Sequence, residues 1–224
     1  MPPVLYLADQ GSPDFEERRT SIDVVCAGDS ITGWNNFRRH EKDWPFCSYP
    51  EFLQELFEPI GLTVVDCGIA GEVSTNGVAQ VQDYLGLFPN AWFFVLGYGA
   101  NDLNECPGVE ETSRRVIKNL DRMVEVVRAA RRAAVLLDVP NADETRLGNE
   151  EAEALRRTLA CHNEHLREYC RARRVSLAEV CGKLRAGQFD DPFHPNEQGA
   201  WLIAQEVFRV LNEVRRGTFG SPAP

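Results

Sequence analysis

Short apolar runs alternate with long amphipathic ones along the chain. Residues 22–28, "IDVVCAG", are β-branched, apolar over a strand's length and stopped by glycine, which predicts a buried strand. The same pattern predicts strands at 62–68 ("LTVVDCG"), 91–99 ("AWFFVLGYG"), 133–140 ("AAVLLDVP") and, more briefly, 175–180 ("VSLAEV"). Between them lie helical periods. One runs over 48–61, capped by Ser48 and ending near Gly61, and a weaker one, interrupted by Gly77 and Gly86, runs over 74–88. In 109–132, Val116, Ile117, Leu120, Met123, Val124 and Val127 share one face. In 150–173, Leu155, Leu159, Leu166 and Tyr169 form a stripe, and a last helix spans about 198–215.

Five apolar strands, each followed by helix or loop plus helix, require right-handed crossovers and a mostly parallel sheet covered on both faces. The prediction is a three-layer α/β/α fold in a single domain over 1–224. Residues 1–20 form an extra arm and 217–224 a flexible tail.

Composition narrows the function classes. Lys plus Arg number 24 against 34 Asp plus Glu, a formal charge of −10, which disfavours binding to nucleic-acid phosphates or an anionic membrane surface. No run approaches a membrane span, and the N-terminus lacks the pattern of a signal peptide. Seven cysteines without a C-x-x-C indicate neither a disulfide framework nor a zinc site, and a reducing cytoplasm is the expectation.

In an open α/β sheet, ligands bind beyond the carboxyl ends of the strands. Four polar or glycine-rich clusters fall there: Gly28-Asp29-Ser30, "DCGIAGEVS" with Gly68 and Gly71, "GYGANDLNE" with Asn101 and Asp102, and "FDDPFHPNE" with Asp190, Asp191 and His194. A hydroxyl nucleophile needs a base in reach, and the base needs an orienting group. Of four histidines, only His194 has a carboxylate three residues before it in a post-strand loop. One turn of D-x-x-H brings Asp191 to Nδ1 and leaves Nε2 for a serine. The Ser30 and Gly71 N–H groups and the Asn101 amide are candidate oxyanion donors.

Gly28-Asp29-Ser30-Ile31, Gly71, Gly99-x-Asn101-Asp102 and Asp191-x-x-His194 resemble, in order and spacing, the four blocks of the SGNH hydrolase superfamily, also called GDSL esterases. The flanking "WPFCSYPEFLQELF" resembles that family's first helix. The resemblance implies a flavodoxin-like, doubly wound sheet of five parallel strands in the order 2-1-3-4-5, and no metal or organic cofactor. It implies Ser30 as nucleophile, His194 as base, Asp191 as orienter, and Ser30, Gly71 and Asn101 as the oxyanion hole. The second block departs from the family pattern, carrying Asp66-Cys67-Gly68 where Asn often precedes the glycines, which leaves Gly68 as an alternative to Gly71. Near the fifth strand, Ala178 and Glu179 stand where an acid is common.

Other readings compete at single positions. Ser30 alone reads as a helix cap, Asp190 is an alternative orienter, and Cys67 is an alternative nucleophile without a base at matching spacing. Asp29 reads as a structural hydrogen-bonding residue or a substrate contact. Trp34, with Phe37, Trp44 and Phe46, either lines a substrate pocket or packs a loop. His162 lies on an apolar stripe as a core residue and His165 off it in solvent. Three residues apart they could share a metal, yet no third ligand is evident. The expectation is a serine esterase acting on a small-molecule or carbohydrate ester of short acyl chain, with an acyltransferase, lysophospholipase or thioesterase as alternatives on the same site. A non-catalytic ligand-binding domain is the alternative of another class, while G-x-G-x-x-G and G-x-x-x-x-G-K-[ST] nucleotide loops are absent. Because a base must be neutral, activity is expected to fall below roughly pH 6 to 7.

Overall fold

The computed structural model describes residues 4–33, 48–104 and 108–219. Its centre is one parallel sheet of β1 (Leu5–Tyr6), β2 (Val24–Gly28), β3 (Val64–Gly68), β4 (Phe93–Gly97), β5 (Ala133–Leu137) and β6 (Ser176–Ala178), in the order β1-β3-β2-β4-β5-β6. The five predicted strands are all present, each two to four residues shorter, in the 2-1-3-4-5 order. A sixth, two-residue strand pairs Leu5 with Val65 and Tyr6 with Asp66 at the edge.

Successive strand residues point to opposite faces, and both faces are apolar, so two cores form. Val25, Ala27, Phe94, Leu96 and Leu136 face the helices α4 (Ser74–Leu87), α6 (Val109–Ala129) and α7 (Asn149–Arg173), burying Tyr84, Leu120, Met123 and Leu166 against them. Val24, Cys26, Val64, Val95 and Val135 face α3 (Tyr49–Phe57) and α8 (Glu197–Phe219), which contribute Leu53, Phe57, Ile203 and Val207. Fully burying side chains of this size contributes about 1.5–3 kcal/mol each, which is why the layers stay shut around the sheet. Between α3 and α8, Phe57 lies 4.9 Å from Phe208 and Phe52 meets Trp201 edge-on at 5.5 Å.

The N-terminal arm belongs to this packing. Ser12 caps the short helix α1 (Pro13–Arg18) by accepting from the Phe15 N–H at 3.2 Å, and Phe15 is buried edge-on to Phe88. At the other end, α8 continues to Phe219, so residues 217–219 extend a helix where the sequence predicts the start of a tail. Among the described residues no helix is long and apolar enough to cross a membrane.

Candidate active site

The carboxyl ends of β2, β3 and β4 carry the site. After β2 the chain turns at Asp29 into the short helix α2 (Ser30–Gly33), whose Thr32 and Gly33 N–H groups bond back to the Asp29 carbonyl. This helix lies against bare main chain. A Cβ at Gly33 would fall 2.3 Å from the Gly68 carbonyl oxygen, and one at Gly68 would fall 2.1 Å from the Gly33 nitrogen. Only glycines permit that approach.

Ser30 and His194, 164 residues apart in sequence, meet here. Ser30 Oγ is 2.9 Å from His194 Nε2, and His194 Nδ1 is 2.6 Å from Asp191 Oδ2. Asp191 Oδ1 also accepts from the Phe193 and His194 backbone N–H groups at 2.7 and 2.8 Å, so D-x-x-H closes as a compact turn around its own carboxylate. Partial burial works to raise the Asp191 carboxyl, but the Phe193 N–H and the imidazole outweigh it and hold it below the ordinary value. It is ionised wherever the imidazole needs an anionic partner.

Asp190 engages this turn through its main chain. Its N–H donates to the His194 carbonyl and its carbonyl accepts from Arg146, while burial and the neighbouring Asp191 raise its carboxyl. Cys67 is fully buried, and burial followed by the Asp66 charge pushes its thiol well above the ordinary value, the opposite of what a nucleophilic thiolate needs.

The oxyanion candidates gather on the adjoining turns. Ile69 to Glu72 forms a turn closed by the Glu72 N–H on the Ile69 carbonyl, with Gly71 at its third position at φ +80° and Ala70 outside the left-handed region. That is a type II turn, which demands glycine there. The competing donor at Gly68 is occupied: its N–H bonds Asp66 Oδ1 at 2.9 Å. Asn101, in the short helix α5 (Ala100–Asn104), donates one amide proton to the Glu72 carbonyl at 2.9 Å, which fixes the amide and leaves its second proton for another acceptor. The Glu72 carbonyl is a positioning group that no side-chain pattern announces.

Asp29 is buried at the turn that precedes Ser30. It is 2% exposed, its carboxylate accepts from the Ile31 N–H at 2.9 Å, and burial pushes its carboxyl up to about 7 against that bond and one from Ala100. Asp102 is likewise buried, capping α4 by accepting from the Ser74 N–H at 2.8 Å and the Ser74 hydroxyl at 2.9 Å. Glu179 pairs with Arg167 on the surface. Trp34, Phe37, Trp44 and Phe46 lie outside the described residues.

Ser30, Asn101 and His194 border a cavity of about 150 Å³ whose wall includes Leu103, Val139, Leu155 and Leu159. The stripe read from the sequence of α7 therefore divides: Leu166 enters the core, whereas Leu155 and Leu159 face this cavity. Phe193, 40% exposed, stands at the rim beside His194. Farther along, His162 is buried and His165 partly so, and both Nδ1 atoms address the Ser113 hydroxyl, at 3.1 and 2.9 Å. His165 is thus held in a bond rather than simply solvated.

The architecture is shared with solved structures. A lipolytic protein of the G-D-S-L family from Veillonella parvula superposes with a TM-score of 0.65 at 19% identity, covering 85% of this chain and 98% of that one. An acetyl xylan esterase from Geobacillus stearothermophilus gives 0.65 at 18% identity over 86% and 95%, and a lipase/acylhydrolase from Enterococcus faecalis 0.62 at 16% over 90% and 100%. At these identities the likeness is one of fold. Compared with curated protein sequences, the chain matches none. The profile of the GDSL-like lipase/acylhydrolase family, however, matches residues 26–202, from within β2 through the Asp191–His194 turn into α8. On that match and this fold, the chain belongs to the GDSL-like lipase/acylhydrolase family of the SGNH superfamily, a family of carboxylic ester hydrolases.

Proposed function

We propose that the protein is a serine esterase that hydrolyses short-chain carboxylic esters through an acyl-enzyme on Ser30. The observation that carries this is the continuous chain from Ser30 Oγ to His194 Nε2 at 2.9 Å and from His194 Nδ1 to Asp191 Oδ2 at 2.6 Å, opening on an apolar cavity. As Oγ bonds to the carbonyl carbon, its proton passes to Nε2, and Asp191 stabilises the imidazolium. The carbonyl oxygen becomes an oxyanion taken up by the Ser30 and Gly71 N–H groups and the free Asn101 amide proton. Collapse expels the alcohol with the proton from Nε2. Water then repeats the sequence on the acyl-enzyme and releases the acid.

The cavity supports a particular acyl size. About 150 Å³ is the volume that holds a benzene-sized guest in other apolar cavities, and Leu103, Leu155 and Leu159 offer such a group no hydrogen bonds. An acyl chain of roughly four to six carbons fits that wall and volume. The fold likeness to an acetyl xylan esterase makes acetylated sugars the natural comparison substrate. A cytoplasmic setting belongs to the same reading, supported by five free cysteines among the described residues.

The test is a panel of 4-nitrophenyl esters from acetyl to decanoyl, together with acetylated xylose, on wild type, Ser30→Ala and Leu159→Trp. The expected kcat/KM peaks at four to six carbons, vanishes in Ser30→Ala, and moves to acetyl when Trp fills the cavity. Turnover surviving in Ser30→Ala removes Ser30 as nucleophile. A length profile unmoved by Leu159→Trp removes the cavity as the acyl site.

A further inference from the structure

The helix pair α6–α7 carries a second group of chemically capable side chains, away from the Ser30 site. Cys161 and His165 lie one turn apart on the same face of α7, and Glu110 reaches them from the first turn of α6. Cys161 Sγ is 3.6 Å from Glu110 Oε1, and His165 Nε2 is 3.8 Å from Glu110 Oε2. The three ligand atoms lie within 4.8 Å of one another. We propose that Glu110, Cys161 and His165 form a binding site for a zinc-class divalent transition metal, joining α6 to α7 and completed by a water.

Distance, donor type and orientation each support this. Around a tetrahedral zinc, sulfur, nitrogen and oxygen ligands stand roughly 3.3–3.6 Å apart, given metal bonds of about 2.0–2.3 Å. The two separations from Glu110, one to each carboxylate oxygen, are within a few tenths of an ångström of that. The set as a whole, within 4.8 Å, must draw together by up to about an ångström, a distance that rotamer changes of three side chains on facing helices can cover. One thiolate, one imidazole and one carboxylate suit zinc or cobalt and disfavour magnesium and calcium, which take oxygen ligands.

The imidazole is already aimed. Ser113 Oγ holds His165 Nδ1 at 2.9 Å and turns Nε2 toward Glu110. A ligating histidine ordinarily donates its other ring N–H in this way, and the Ser113 hydroxyl can then donate onward to His162 Nδ1, 3.1 Å away. Arg114 bonds Glu110 Oε2 at 3.0 Å, and a carboxylate oxygen has lone pairs enough to keep that bond whichever of the two oxygens takes the metal. The Cys161 thiol donates its hydrogen bond to Glu110 in the free protein, and binding sends that proton to solvent.

The proposal is independent of the esterase chemistry, and cobalt(II) titrated into the full-length reduced protein tests it. The expected result is one equivalent bound, with intense visible bands of tetrahedral cobalt and an ultraviolet sulfur-to-cobalt charge-transfer band, both displaced by zinc. Cys161→Ala, at a half-exposed helical position, should fold normally and lose the charge-transfer band. Glu110→Gln and His165→Ala should weaken binding at least tenfold, whereas Cys181→Ala and Ser30→Ala should bind as wild type. Absence of the charge-transfer band, or its persistence in Cys161→Ala, overturns the site.

Discussion

His194 and His162 occupy the same protein under opposite conditions. His194 sits on a loop at the sheet's carboxyl rim, with side chain 19% exposed, an anionic Asp191 on one nitrogen and the Ser30 hydroxyl on the other. His162 is enclosed between α6, α7 and Gly99, bonded on Nδ1 to neutral Ser113, with Nε2 buried and unpartnered. Burial, and then the nearby His165, depress its basicity to about 4. A histidine becomes a proton carrier when a fixed anion can accept its positive charge. Without one, burial makes it a packing residue. The contrast also separates what each should do when changed: the rim histidine governs rate, the enclosed one governs acid stability.

The largest expected effect lies at the rim. Ser30→Ala and His194→Ala should each lower ester turnover by about 10⁴-fold or more, with thermal midpoints close to wild type, because both side chains border a cavity rather than fill a core. Steady-state kinetics beside calorimetry reads both. Next, Asn101→Ala removes one of the proposed oxyanion donors and should lower kcat by about 10²–10³-fold with KM little changed. A matching rise in KM instead would place Asn101 in ground-state binding.

His162→Leu should leave turnover within about threefold and change only the response to acid. In the wild type the folded imidazole stays neutral down to about 4 while the unfolded one charges near its ordinary 6.5. Its contribution is therefore intact above pH 6.5 and is lost as pH falls from there toward 4, by roughly 3 kcal/mol at most. Urea midpoints from pH 7 to 4 should show the wild type losing stability faster than the variant. Parallel curves would break the comparison at its buried end, and lost turnover would show that the two histidine sites are coupled. Smallest of all, Gly71→Ala meets open space but a φ of +80°, so it should cost about 1 kcal/mol of stability. Turnover should fall less than tenfold, since the N–H remains.

The strands were legible because both faces of the sheet are buried, which writes continuous apolar runs into the sequence. Their ends were less so. Asp23 carries the carbonyl that receives the Trp92 and Phe93 N–H groups, and no residue type marks where such a ladder begins. The edge pair Leu5–Tyr6 is too short to show a period. Asp191 and His194 could be paired from spacing alone because one turn joins them. The Asn101 amide's partner could not, since a carbonyl 29 residues away in sequence is main chain, common to every residue. Leu155 and Leu159 could not be told from Leu166 for a related reason: periodicity tells which side of α7 is apolar, not where along it the packed face comes to border a cavity. The meeting of Glu110 with Cys161 and His165 depends on how α6 and α7 slide against each other, which neither helix encodes by itself.

The contact of Gly33 with Gly68 has a mechanical consequence for the hydroxyl three residues earlier. Where side chains separate two elements, every change in their bulk resets the spacing. Here main chain rests on main chain, so the seat of Ser30 is gauged against the end of β3 directly. Core substitutions elsewhere can swell or shrink the layers without passing that change through a side chain to this joint. The register between hydroxyl and imidazole is thereby sensitive to drift at the glycines of this joint, Gly28, Gly33 and Gly68, where a single added methyl would meet main chain and lift the helix off its bearing.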